Sequence, residues 1–125
     1  MVFPYIDKEP IVSLEIKSSQ NHWLRFQAYV DSGASISVFK PYVAKLLGLN
    51  IYDGIINYLV IGDGSKIKIY THPVSVNFAG VEFKARIGFS ADLGTGVNLI
   101  GQRSFFDNFT FCFQSWRHRL EVFPK

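Results

Sequence analysis

Apolar residues recur at every second position through most of this chain, a period that belongs to sheet and not to helix. Val12, Leu14 and Ile16 alternate with Ser13, Glu15 and Lys17, and Leu24, Phe26, Ala28 and Val30 repeat the pattern. Successive side chains of a strand point to opposite faces, so each run reads as a half-buried strand. The turn cluster Ser18-Ser19-Gln20-Asn21 lies between them, which makes residues 11–30 a hairpin. Tyr58 to Ile61 and Lys66 to Tyr70 flank Gly62-Asp63-Gly64-Ser65, whose residue types suit the positive φ angles of a tight hairpin turn. Val74, Val76 and Phe78, then Val81, Phe83, Ala85 and Ile87, predict another hairpin about Ala79-Gly80. Near the end, Phe109, Phe111 and Phe113 pair with Leu120 and Val122 across a loop at Gln114 to His118, and the basic run Arg117-His118-Arg119 marks the turn between the two strands.

Helix signals are few. Pro41 suits the first position of a short helix, with Val43, Leu46 and Leu47 on one face and Gly48 at its end. Gln102 to Asn108 predicts one or two further helical turns, and 91–96 reads as a loop before the apolar run Val97 to Ile100. Strand after strand with short turns gives an all-β, barrel-like fold with one or two short helices. The 125 residues fit one domain, 1–125, large enough for a core without staples.

Composition narrows the function classes. The net charge of +3 is a modest excess, and no stripe of alternating basic and aromatic residues is present, so no nucleic-acid partner is expected. Cys112 is the single cysteine, which excludes an intrachain disulfide; within Phe111-Cys112-Phe113 it reads as a small packing residue. One Cys and three His at no ligand spacing predict no metal, and nothing in the sequence calls for a cofactor. His22, His72 and His118 read as surface or turn residues, and Trp23 and Trp116 as packing residues. No run approaches the roughly 18 apolar residues that span a bilayer, and the first residues do not resemble a secretory leader. The expectation is a soluble protein of a reducing compartment, the cytoplasm.

One tetrapeptide carries chemistry. Asp31-Ser32-Gly33-Ala34 directly follows the strand ending at Val30, so a carboxylate is delivered at a strand end in a tight turn. A Gly at the third position lets the backbone approach the carboxylate and offer it an amide hydrogen. An Asp-Ser-Gly triplet alone is most often only a turn. Neither Ser32 nor Ser35 stands in a Gly-x-Ser-x-Gly elbow, so neither is a serine nucleophile.

Tyr29-Val30-Asp31-Ser32-Gly33-Ala34-Ser35 resembles the active-site motif of retropepsin-like aspartic proteases, the single-lobe, homodimeric relatives of pepsin. Three further features fall in the family's order. Ile61-Gly62-Asp63-Gly64-Ser65 lies where the family has its flap, a hairpin that closes over substrate. Leu99-Ile100-Gly101-Gln102-Arg103 resembles the two apolar residues and Gly that pack beneath the active-site turn. Phe109 to Phe113 with Arg119 to Val122 looks like the C-terminal hairpin of cellular members. The resemblance implies a single-lobe acid-protease barrel with Asp31 as the catalytic residue and Ser32, Gly33 and Ala34 supporting its turn. It also implies substrate contacts from Ile61, Gly62, Asp63, Gly64 and Ser65, and a support loop at Leu99, Ile100 and Gly101. Ser32 departs from the commoner Thr but keeps the hydroxyl.

Since the motif occurs once, the resemblance implies a homodimer in which two Asp31 carboxylates meet, share one proton and activate water against a peptide bond. The partners would be a second copy and an extended peptide or protein substrate, apolar on both sides of the cleaved bond. Ala34 brings no hydroxyl to favour the ionised carboxylate, which sets the expected optimum on the order of pH 5–6. The other reading is a module of the same fold that binds or dimerises without cleaving.

Overall fold

The computed structural model describes residues 1–60, 64–92 and 96–125. Two sheets organise them. After a short first strand β1 (Val2–Pro4), a hairpin forms from β2 (Ile11–Lys17) and β3 (Trp23–Val30), antiparallel with Leu14 opposite Phe26. A two-residue strand β4 (Val38–Phe39) leads into α1 (Pro41–Leu47). Next come β5 (Ile55–Val60), β6 (Lys66–Phe78) and β7 (Val81–Phe89), with β6 antiparallel to β5 and β7 antiparallel to β6. Then β8 (Asn98–Ile100) runs parallel to β3. The seven strands order as β2-β3-β8-β4-β7-β6-β5, and a second pairing of β2 with β6 closes six of them into a barrel, leaving β5 as an appended strand. The other sheet joins β1 with β9 (Phe109–Gln114) and β10 (Arg119–Pro124), with β10 in the middle.

The alternation maps onto burial directly. Along β2, Val12, Leu14 and Ile16 are buried while Ile11, Ser13, Glu15 and Lys17 are not. Phe78 joins barrel and terminal sheet: its ring lies 5.5 Å from Phe3, 5.2 Å from Phe109 and 5.8 Å from Phe105, distances at which aromatic rings attract beyond simple burial. The turn Ala79-Gly80 has positive φ at both residues, 51° and 79°, the geometry that matches strand twist in a two-residue hairpin.

Several local readings need correction. Lys66–Tyr70 and Val74–Phe78 are one continuous strand through Pro73. Pro73 has no N–H to donate, and it falls where one neighbour of β6 stops, at Ile55 opposite Thr71, before the next begins, at Ile16 opposite Val76. In α1 the buried residues are Val43, Ala44 and Leu47, while Leu46 is exposed. The segment Gln102–Phe106 is not a regular helix: Arg103 is extended and Ser104 has φ 71°. Cys112 lies on the outward face of β9 and is exposed, because the alternation there places Phe111 and Phe113 inward. Trp116 is exposed, at 78%. His72 is buried, with a ring nitrogen 2.9 Å from the Ile51 carbonyl and its ring edge-on to Phe89. Strands β1 and β4 are too short, at three and two residues, to show a period in sequence.

Candidate active site

The parallel pairing of β3 with β8 builds the site. Tyr29 lies opposite Leu99 and Val30 opposite Ile100, so Asp31 and Gly101 leave the sheet side by side. The backbone ties continue past the strands. Asp31 donates its N–H to the Ile100 carbonyl at 2.9 Å, Gln102 to Ala34 at 2.8 Å, and Arg103 to Ser35 at 3.1 Å. Two side chains complete the clasp. The Ser37 hydroxyl, fully buried, accepts the Gly101 N–H at 2.9 Å, and the Gln102 amide Nε2 donates to the Ser32 carbonyl at 2.6 Å.

Within the turn, the Gly33 N–H donates to Asp31 Oδ1 at 2.9 Å, and the Ala34 N–H to the Asp31 carbonyl at 3.2 Å. A Cβ on Gly33 would stand 3.3 Å from that same carboxylate oxygen, a tight approach that favours glycine. Asp31 is half-buried, Ser32 and Gly33 are exposed and Ala34 is buried. The carboxylate is thus fixed by backbone yet reachable from solvent. Two clefts meet it. One, of about 430 Å³, is lined by Glu9, Ile11, Tyr29, Asp31, Val97 and Leu99. The other, of about 530 Å³, reaches from Asp31 and Ser32 to Tyr5, Lys8 and His118. Burial, followed by the negative charges of Glu9 and Asp31, holds the Tyr29 phenol above its usual value and so keeps it protonated.

Of the support loop, Ile100 is buried beneath the turn, whereas Leu99 is half-buried and faces the smaller cleft. The β5–β6 hairpin packs beside this region through the part of its strands nearest the turn. Leu59, Ile67 and Ile69 pack with Val38, Leu99 and Ile36, the last of these on the segment following the Asp31 turn. Among the described residues the hairpin's last pair is Val60 with Lys66. Gly64 has φ 85° and Ser65 is exposed, while Ile61, Gly62 and Asp63 lie outside the described residues.

Ser37, Asn98 and Glu9 stand outside every motif of the sequence, and Gln102 lies in the Leu99–Arg103 motif without a role of its own. Ser37 and Gln102 hold the clasp, and their types carry no signal apart from position. Asn98 is buried at 2% and spans two elements: Nδ2 donates to the Gln27 carbonyl at 2.9 Å, and Oδ1 accepts the Lys40 N–H at 2.9 Å. Glu9 precedes the first alternating run, where no pattern marks it. Among the described residues no group of three His, Cys, Asp or Glu side chains is placed to hold a metal, and no helix is long and apolar enough to cross a membrane.

A barrel of six strands that presents one Asp-Ser-Gly carboxylate on a clasp of two parallel strands has the retropepsin-like, single-lobe acid-protease fold. It is similar to a crystal structure of a retropepsin-like aspartic protease from Rickettsia conorii, with a TM-score of 0.68 and 20% identity over 98% of this chain and 97% of that one. It is also similar to EIAV protease complexed with the inhibitor HBY-793, with a TM-score of 0.56 and 20% identity over 78% of this chain and 85% of that one. No family model matches the chain, and no curated protein matches its sequence.

Proposed function

We propose that the chain is an aspartic endopeptidase that works as a homodimer, with one Asp31 from each subunit forming the catalytic pair. The observation that carries this reading is the single Asp31 carboxylate, held by the Gly33 N–H at 2.9 Å and open to two clefts. The likeness in fold to two proteases of this class adds support.

Two carboxylates brought together by a twofold axis repel when both are charged, so the pair keeps one proton between them. The ionised partner takes a proton from a water lying between the two, while the protonated partner donates a hydrogen bond to the scissile carbonyl. Water attacks, a tetrahedral diol forms, and a proton passes to the amide nitrogen as the C–N bond breaks. An extended peptide suits a cleft crossed by strands, since alternate side chains enter alternate pockets. The β5–β6 hairpin closes over that peptide and supplies backbone hydrogen bonds.

Incubation with a mixed peptide pool between pH 4 and 7 tests the reading, alongside Asp31→Asn and pepstatin. The expected result is cleavage that is greatest on the order of pH 5–6, blocked by pepstatin and absent in the variant. Cleavage that survives either treatment sinks the assignment, and so does a protein that remains monomeric at every concentration while still cleaving. Peptide binding with no turnover under any condition assigns the chain instead to a non-cleaving module of this fold.

A further inference from the structure

We propose that Glu9 is a specificity-determining residue, selecting a Lys or Arg side chain on the substrate close to the cleaved bond; this rests on the peptide-cleaving reading above. Glu9 and Asp31 line the same two clefts. In the smaller cleft the walls beside them are Ile11, Tyr29, Val97 and Leu99, and among the described residues Glu9 is the only charged group there other than Asp31. Such a cleft fits an amphipathic side chain. The methylene stem of Lys or Arg lies along the aliphatic wall and its cationic head meets the carboxylate.

Glu9 is exposed, but its backbone is fixed. Its N–H and carbonyl both bond Ile6, each at 2.9 Å, and its carbonyl also accepts the Ile11 N–H at 2.8 Å. Between Ile6 and Glu9 the chain passes through Asp7 and Lys8 with φ of 50° and 64°, left-handed values that non-glycine residues adopt only where surroundings enforce them. The next residue, Pro10, accepts the Val30 N–H at 2.9 Å, so this turn is fastened to the strand that delivers Asp31. A fixed turn of this kind lowers the ordering cost of engaging a ligand. The Glu9 carboxylate accepts a hydrogen bond from the Tyr29 phenol, and no cation pairs with it among the described residues, where the one ion pair joins Arg119 and Glu121. Lys8 lines the larger cleft only. Two subunits bring two Glu9 carboxylates, so the preference falls on both sides of the cleaved bond.

The test uses one cleavable peptide in which Lys, norleucine or Glu is walked through the three positions on either side of the cleaved bond. Wild-type kcat/KM is expected to favour Lys over norleucine by about two- to fivefold at one position on each side, the range for a charged contact discounted for solvent exposure. Glu9→Gln is expected to erase that ratio, and Glu9→Lys to invert it towards Glu. Binding of the same peptides to Asp31→Asn protein, by fluorescence anisotropy, reads the preference without turnover. Lys-selective binding that Glu9→Gln removes upholds the inference even if no cleavage occurs, in which case only the enzymatic reading falls. Asp31-dependent cleavage that is equal for Lys and norleucine at every position overturns the Glu9 inference alone. The inference also falls if Glu9→Gln weakens dimerisation and leaves the ranking of peptides unchanged, which makes Glu9 a contact between subunits.

Discussion

Gly101 runs so close to Ala34 that a Cβ on the glycine would sit 2.5 Å from the Ala34 carbonyl oxygen, and 2.9 Å from the Ile36 carbonyl. Both obstacles are backbone, so neither moves without disturbing the Asp31 turn. Gly101→Ala is therefore expected to lower stability by about 1–3 kcal/mol, the usual cost of overpacking, and to lower activity further by displacing the carboxylate. Urea unfolding and peptide-cleavage rates on the same preparation check this. A variant as stable as wild type would show that the clasp is slack.

Gln102 ties its own turn to the Asp31 turn through the 2.6 Å bond from Nε2 to the Ser32 carbonyl. Gln102→Glu keeps the size and replaces the donor with an acceptor, so two oxygens face each other. The expected loss is about 0.5–1.5 kcal/mol of stability, with kcat falling more than KM rises, because the residue positions the reacting group and does not bind peptide. An effect confined to KM would place Gln102 in substrate contact instead.

Asp31→Asn retains an oxygen to accept the Gly33 N–H, so the fold is expected to survive with little change in Tm. Proton transfer is lost, and kcat/KM is expected to fall about 10²–10⁴-fold or more. Near-normal rates in a correctly folded variant would remove Asp31 from the mechanism.

Tyr29 sets an alkaline limit. Its phenol is raised above 10.0 in the folded chain, through burial first and then the charges of Glu9 and Asp31. A raised value means the folded state holds this proton more tightly than the unfolded one. The resulting stability is fully present below pH 10 and is lost as pH rises through the folded value. Tyr29→Phe removes the titration, so its stability is expected to decline less steeply than wild type above that point. Thermal unfolding between pH 8 and 11 gives the comparison, and parallel curves for the two proteins would contradict it.

The barrel was legible because alternation survives wherever one face of a strand is buried, as in β2, β3 and β6. It failed where context replaced pattern. The runs Lys66–Tyr70 and Val74–Phe78 read as separate strands, but the break is in β6's neighbours and not in β6. Gln102–Phe106 looked helical, but the bonds from Gln102 and Arg103 back to Ala34 and Ser35 hold the chain in another shape. The Asp31 turn was readable from four adjacent residues. Its fastening was not, since Ser37 and Gln102 act only through hydrogen bonds between distant segments.

Strand β1 lies against β10 of its own chain, with Val2 opposite Glu121, Phe3 opposite Leu120 and Pro4 opposite Arg119. Residues 2–4 thus spend their strand pairing within one subunit, on residues 119–121, and not on a twin. Under the proposed reading, dilution would then silence the enzyme without unfolding it, and gathering many copies in one place would wake it again with no new synthesis.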